Sequence, residues 1–264
     1  MSDLCVLGTG GAVATAQRDN TAFALDLGRT VTLIDCPGSV LQKLRRLGLD
    51  PLKVDSLLVT HVHTDHIYGL ASLIHSLFLE EGLIRIFGSK ESLAFCAEYL
   101  DLFRLRESGI RMRTELVPLG AGRRFRINEH LEAEAIRVPH TPASLAYHLF
   151  FQQGAGEWIF SGDTPAVPSL FRRAGTASGL VHDCSAPSRF FDLYPELRAM
   201  HTSALDLGRL AQEAGVACLI PCHFFGEAAF TAEEVEEEIR RHYRGRLIIP
   251  EDLQRIPLAA SPGK

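Results

Sequence analysis

The sequence predicts an α+β fold in which two β-sheets pack face to face and helices cover both outer sides. Short apolar runs bounded by Gly, Pro and Asn recur from Leu4 to Ile249 and read as strands. Stretches with helical spacing stand near the start, the middle and the end of the chain, so both outer faces of a sandwich can be covered. No repeat, low-complexity segment or linker-like stretch divides the chain, and residues 1–264 are expected to form one domain.

Taken in order, Leu4–Leu7 is a strand that ends in Gly8-Thr9-Gly10-Gly11. This is a tight turn rather than a phosphate loop, because the GxGxxG spacing and a following helix are missing. Ala22–Leu27 and Val31–Ile34 form a hairpin through Gly28-Arg29, Asp35-Cys36-Pro37-Gly38 stops the second strand, and Ser39 caps a short helix through Leu47. Pro51 and Lys53 lead into the apolar run Ser56–Val59. Ile67, Leu70, Leu73, Ile74, Leu77 and Phe78 then place a helix over Ile67–Leu79. Leu83–Phe87 is a strand, and Ser89 caps an amphipathic helix to Arg106. Strands follow at Thr114–Pro118, Arg123–Ile127, Leu131–Val138, Leu145–Phe151 and Trp158–Phe160, then at Leu180–Asp183, Ala217–Ile220 and Arg246–Ile249. Helices are expected near Ala204–Ala214 and Ala232–His242, and the tail Pro257–Lys264 is expected to fray.

A formal net charge of −5 disfavours a chain whose main task is gripping long nucleic acid, for which a basic surface is expected. Arg104, Arg106, Arg111 and Arg113 make a local basic patch of the kind solvated around a helix end. Six cysteines (Cys5, Cys36, Cys96, Cys184, Cys218, Cys222) lack CxxC pairing and sit partly in apolar runs, which points to free thiols and a reducing cytoplasm. The start MSDLCVLGTGG has neither the basic segment nor the apolar stretch of a signal peptide, and no run is long enough to span a membrane.

The chemistry concentrates in THVHTDHIYGL, Thr60–Leu70, which packs His61, His63, Asp65 and His66 into six positions directly after an apolar strand. Neutral imidazole suits Zn, Fe or Mn, and an adjacent carboxylate lets two divalent ions sit close together. Three later strands each deliver one more residue of ligand type to a loop: His140 after Arg137-Val138-Pro139, Asp163 in FSGDT, and His223 in PCHF. His75, His130, His148 and His242 belong to no such pattern and are expected to be surface or core residues.

HxHxDH followed by these three positions resembles the metallo-β-lactamase superfamily. LGTGGAVATAQRDNTAFAL, HVHTDHIYGL, FSGDT and CHF are most similar to its ribonuclease Z branch. Leu180-Val181-His182-Asp183-Cys184-Ser185 resembles that branch's His-Glu-Ala-Thr loop, and His201-Thr202-Ser203 its His-Ser-Thr loop. The resemblance implies an αββα sandwich with two divalent metal ions, zinc before manganese or iron. One ion falls to His61, His63 and His140, the second to Asp65, His66 and His223, and Asp163 bridges them. Such a pair of ions activates a shared hydroxide and absorbs charge on a phosphoryl group. With Asp65 at the reacting centre, His201 is the candidate proton donor to the leaving oxygen, and Asp183 its orienting partner where the family usually has glutamate.

Zinc β-lactamases place cysteine at Asp163, and di-iron flavoproteins place glutamate at His63, so neither matches. Glyoxalase II-like thioesterases share all seven ligand types; the Asp183–His201 pair and the N-terminal motif favour phosphodiester chemistry instead. Many tRNA-processing members insert a long arm between the equivalents of His140 and Asp163, where this chain holds two strands and the turn Gln152–Glu157. The expectation is therefore a phosphodiesterase for a small substrate, a cyclic nucleotide or nucleotide-derived ester. A tRNA 3′-processing endonuclease is the alternative, followed by a sulfatase or a thioesterase/lactonase, and by a non-catalytic metal-binding regulator. A homodimer through the apolar surface Leu70–Leu79 is left open.

Overall fold

In a computed structural model, which describes residues 2–152 and 154–258, the chain forms two seven-stranded sheets with helices on their outer faces. The first half contains β1 (Ser2–Gly8), β2 (Ala22–Asp26), β3 (Val31–Ile34), α1 (Val40–Arg46), β4 (Val54–Leu58), α2 (Thr64–Ile67) and α3 (Leu70–Ser76). It continues through β5 (Gly82–Gly88), α4 (Lys90–Leu102) and β6 (Met112–Pro118). The second half contains β7 (Arg124–Arg126), β8 (Leu131–Arg137), β9 (Leu145–Phe151), β10 (Glu157–Phe160), α5 (Pro168–Ala174), β11 (Gly179–Asp183) and α6 (Ser188–Leu193). It ends with α7 (Ala204–Ala214), β12 (Cys218–Cys222), α8 (Ala232–Arg240), β13 (Arg246–Leu247) and β14 (Arg255–Leu258).

The first sheet runs β14-β1-β2-β3-β4-β5-β6 and the second β13-β12-β11-β10-β9-β8-β7. Each is parallel in one half and antiparallel in the other: β3 to β6 and β10 to β13 pair in parallel. Period-two alternation divides the core into layers. Leu4, Val6, Phe23, Leu25, Tyr147, Leu149 and Phe160 point between the sheets. Cys5, Leu7, Leu33 and Leu57 pack under α1, α3 and α4, and Ile159, Leu180 and Leu219 under α5, α7 and α8. This is the four-layer sandwich expected from the sequence. All six cysteines are buried free thiols, and no helix among the described residues is long and apolar enough to cross a membrane.

Several local expectations fail for identifiable reasons. Ser39 precedes α1 but has a left-handed backbone (φ 62°) and makes no side-chain capping bond. The helix expected over Ile67–Leu79 is two helices, because the chain abuts the turn after β3 at Gly69. There the Gly69 amide donates to the Cys36 carbonyl at 2.9 Å, and a Cβ would lie 1.8 Å from the Pro37 oxygen. The helix from Ser89 keeps its cap, Ser89 accepting from the Ser92 amide, but stops at Leu102 rather than Arg106. Arg104 turns left-handed (φ 57°), so the Leu105 amide bonds back to the Leu100 carbonyl and the Leu105 side chain is buried. Pro257 and Leu258 do not fray, since β14 pairs antiparallel with β1; 259–264 lie outside the described residues. The helices α5 and α6 had no counterpart in the sequence reading.

Gly69→Ala should destabilise the protein by about 2 kcal/mol, because the added methyl meets backbone that cannot rotate away. Gly109→Ala, where a Cβ meets nothing within 4 Å, should stay within about 0.5 kcal/mol. Urea midpoints of the two variants check the contrast; equal midpoints would show that the contact at Gly69 relaxes freely.

Candidate metal centre

The loops that leave the C-terminal ends of β3, β4, β8, β10, β11 and β12 converge on one end of the sandwich. There the structure brings together all seven residues predicted as ligands. Donor atoms of His61, His63 and His140 lie within 4.8 Å of one another, and so do those of Asp65, His66, Asp163 and His223. Asp163 stands between the two groups. Its Oδ2 is 3.7 Å from His61 Nε2, 3.8 Å from His140 Nε2 and 3.0 Å from His223 Nε2, and its Oδ1 is 3.3 Å from His66 Nε2. Asp65 Oδ2 is 3.4 Å from both His66 Nε2 and His223 Nε2.

The partners of the far ring nitrogens fix the tautomers. Thr60 Oγ1 donates to Asp35 Oδ2 at 2.7 Å and so accepts from His61 Nδ1 at 3.0 Å. His66 Nδ1 donates to Asp35 Oδ2 at 2.7 Å, and His140 Nδ1 to the Met200 carbonyl at 3.0 Å. Ser185 Oγ donates to Asp183 Oδ1 at 2.7 Å and can accept from His223 Nδ1 at 3.3 Å. Four imidazoles are thereby held with Nδ1 protonated and Nε2 turned to the centre, which is how a protein orients histidine toward a metal. The Nε2 atoms of His61, His66 and His223 are buried and make no well-directed hydrogen bond, although Asp163 and Asp65 lie close by. Buried polar atoms are ordinarily satisfied, so three such nitrogens aimed at two carboxylates fit a pair of divalent cations.

The electrostatics agree. Burial opposes ionisation of Asp163, but the His223 and His66 imidazoles outweigh it and hold the carboxyl well below the usual range. Burial also disfavours charge on His66 and His223, yet Asp163 and its neighbours raise both, His223 to about 10. Without cations, the carboxylates therefore recruit protons in their place. Burial, reinforced by the charge of His66, drives His61 well below its ordinary value and keeps it neutral. Burial pushes the Asp35 carboxyl up, but it takes hydrogen bonds from the Thr60 amide, Thr60 Oγ1 and His66 Nδ1, an arrangement that suits the ionised form.

The shorter side chain at Asp183 reaches its predicted partner: His201 Nδ1 lies 2.8 Å from Asp183 Oδ2, which also accepts from the Thr164 amide at 3.1 Å. His201 is not the cap of α7; Ser203 is, accepting from the Asp206 amide. A His201 ring nitrogen lies within 4.8 Å of donor atoms of His140 and Asp163, so it borders the centre. His75 stacks on Phe78, and His148 pairs with Glu157 at 2.9 Å, both away from this cluster. The sequence reading missed Asp35, Thr60 and Ser185. Asp35 had a signal, since like His140, Asp163 and His223 it is a polar residue delivered by the end of an apolar strand.

Comparison with known proteins accords with this arrangement. A family described as "Anti-Pycsar protein Apyc1" matches residues 2–213. Ribonuclease Z of Aeropyrum pernix is 32% identical over 301 residues, covering 90% of this chain and 93% of that protein. The metallo-β-lactamase fold protein YhfI from Bacillus subtilis superposes with a TM-score of 0.80 at 18% identity, covering 97% of this chain and 98% of that one. The short form of human tRNase Z gives 0.75 at 19% identity, over 97% and 99% of the two chains. The chain belongs to the Apyc1 family and, with it, to the ribonuclease Z-like, metal-dependent hydrolases of the metallo-β-lactamase superfamily.

Proposed function

We propose that this chain is a phosphodiesterase for a small phosphodiester, a cyclic nucleotide or nucleotide-derived ester. The observation that carries the reading is the Asp183–His201 pair, bonded at 2.8 Å and bordering the centre without belonging to either predicted ligand set. His61, His63 and His140 would hold one ion, Asp65, His66 and His223 the other, with Asp163 shared; zinc suits this imidazole-rich set. Bound there, the ions would supply Lewis acidity toward the phosphoryl oxygens and an acidified water. His201 donates a proton to the departing ester oxygen, and Asp183, a positioning residue, fixes its tautomer and stabilises the charged ring. Water supplies the oxygen that ends on phosphorus. Of its two protons one restores His201 and the other goes to solvent. The reduced, buried cysteines suit work in a reducing compartment such as the cytoplasm.

The likeness to proteins named ribonuclease Z favours a second reading, tRNA 3′-processing. Three features support the smaller substrate. The net charge is −5. Arg106 pairs with Asp101 and Arg111 with Glu81, which removes charge from the basic patch. The interval from His140 to Asp163 is spent on the β9–β10 hairpin, whose antiparallel register pairs Phe150 with Glu157. Neutralising phosphates takes unpaired cations, so tRNA binding should be weak and steeply salt-dependent. The metal-loaded protein should hydrolyse bis(p-nitrophenyl) phosphate and cyclic nucleotides and cut precursor tRNA slowly at moderate salt; efficient tRNA cleavage would reverse the preference.

Purified protein should carry about two divalent ions, and Asp163→Ala should lose most of one ion and nearly all hydrolysis. Because His66 and His223 hold protons in the ion-free site, metal uptake should release protons at neutral pH and tighten as pH rises. Calorimetry in two buffers of different ionisation enthalpy reads this release directly. Asp35→Asn leaves metal donors untouched but should weaken metal binding by about 10–100-fold, since it unfastens His61 and His66. Unchanged affinity would show that packing alone orients both rings. His201→Ala should retain its ions yet lose about 10²–10⁴ in turnover of a diester with a poor leaving group, and far less with nitrophenolate. Equal losses on both would make His201 a phosphate-positioning group, and loss of metal a ligand.

A further inference from the structure

Of the four imidazoles whose Nδ1 meets a group outside the centre, His223 has the longest such contact. Its Nδ1 lies 3.3 Å from Ser185 Oγ, whereas the corresponding contacts of His61, His66 and His140 measure 3.0, 2.7 and 3.0 Å. Its backbone is also left-handed (φ 67°), a conformation that a residue with a side chain keeps only under constraint. The place of its ring therefore depends on what holds the chain around it.

That constraint comes from the loop after β1. The Phe224 amide donates to the Thr9 carbonyl at 2.9 Å and the Gly11 amide to the Phe224 carbonyl at 2.8 Å. Gly10 and Phe224 thus form a short parallel bridge between loops that leave opposite sheets. The bridge seats Gly11 against the imidazole itself: a Cβ there would lie 3.2 Å from His223 Cε1. A shift of this loop would be felt by the ring. Arg18 grips both sides of the bridge. Its Nη1 donates to Thr9 Oγ1 at 2.6 Å and to the Pro250 carbonyl at 3.0 Å, and its guanidinium carbon lies 4.5 Å from the centroid of the buried Phe224 ring. Thr9 Oγ1 donates in turn to Asp252 Oδ1 at 2.7 Å, and Asp252 Oδ2 accepts from the Asp19 amide at 2.7 Å, so the anchor points are themselves fixed.

We infer that Arg18 is a positioning residue for His223: gripping Thr9 and Phe224 at once, it locks the bridge that holds this predicted ligand in its left-handed backbone. The role rests on the reading of His223 as a ligand of the second ion, with Asp65 and His66. Its effect is selective. The groups that Arg18 touches lie in the loops after β1 and β12 and at Pro250, and none lies in the loops that carry His61, His63 and His140. Loosening the bridge should cost one ion and spare the other. A lysine at this position keeps the charge and can reach one of the two oxygens, but it lacks the planar group that covers the ring while bonding to both.

The test measures zinc retained by the metal-loaded protein as free zinc is lowered with a chelator buffer. His223→Ala marks the step that belongs to the second ion. In Arg18→Met that step should move to about tenfold higher free zinc, while the step of the His61, His63 and His140 ion stays in place. Arg18→Lys should move it less. Phe224→Leu, which keeps an apolar side chain in the core, should move it in the same direction. Joining Arg18→Met to Phe224→Leu should add little to the larger single shift, because the two side chains act through one contact. Equal shifts of both steps in Arg18→Met and Phe224→Leu would make the pair a general support of the fold, and an unmoved second step would leave Arg18 without a hold on His223; either result overturns the role. If His223→Ala itself retains both ions, the ligand reading fails and takes the role of Arg18 with it. If His223→Ala loses one ion and the Arg18 variants lose none, only the role of Arg18 falls.

Discussion

A buried carboxylate at Asp35 organises the first half of the site. It stands at the end of β3 in a left-handed conformation (φ 60°) that a non-glycine residue adopts only under constraint. It takes hydrogen bonds from the Thr60 amide and hydroxyl at the end of β4, and from His66 on α2. The end of β3 is thereby joined to the stretch after β4, 25 and 31 residues further along, and a charge buried this deeply is tolerable because Thr60 and His66 donate to it. The orientation of His61 follows through Thr60, and that of His66 follows directly.

The second half repeats the device. Asp183, at the end of β11, accepts from His201 directly and from Ser185, which in turn faces His223. Each sheet thus contributes one buried carboxylate that orients two imidazoles, one directly and one through a hydroxyl. Asp183 differs in that one of its imidazoles lies outside the predicted ligand set. In the proposed mechanism, that asymmetry would give the second sheet a proton-transfer role as well as a structural one.

Much of this was legible in the sequence. The strands were, because period-two alternation and turn residues are local, and the His and Asp residues that cluster at one end of the sandwich were, because each follows an apolar run. What escaped depends on contacts between segments. Ile67–Leu79 has apolar residues at helical spacing, yet the approach of Pro37 to Gly69 interrupts the helix and it ends at Ser76. The β14 strand was hidden because its partner, β1, lies at the opposite end of the chain. Ser185 escaped because a residue that orients its neighbour leaves no spacing of its own; its meaning arises when another loop arrives beside it, and Asp35, though placed at a strand end, gains its partners the same way.

The distribution of the predicted ligands has a consequence for the whole molecule. His61, His63, Asp65 and His66 hang from the first sheet, whereas His140, Asp163 and His223 hang from the second. Ions held between them would fasten the two sheets across the seam that Leu25, Tyr147 and Phe160 otherwise close by apolar contact, together with the hydrogen bond from the Tyr147 hydroxyl to the Val59 carbonyl at 2.6 Å. Any ligand bound only when the sheets are docked adds its binding free energy to the docking. The cohesion of the sandwich would then vary with the free metal concentration around it, and a chain made in metal-poor surroundings would be a looser object before it was an inactive one.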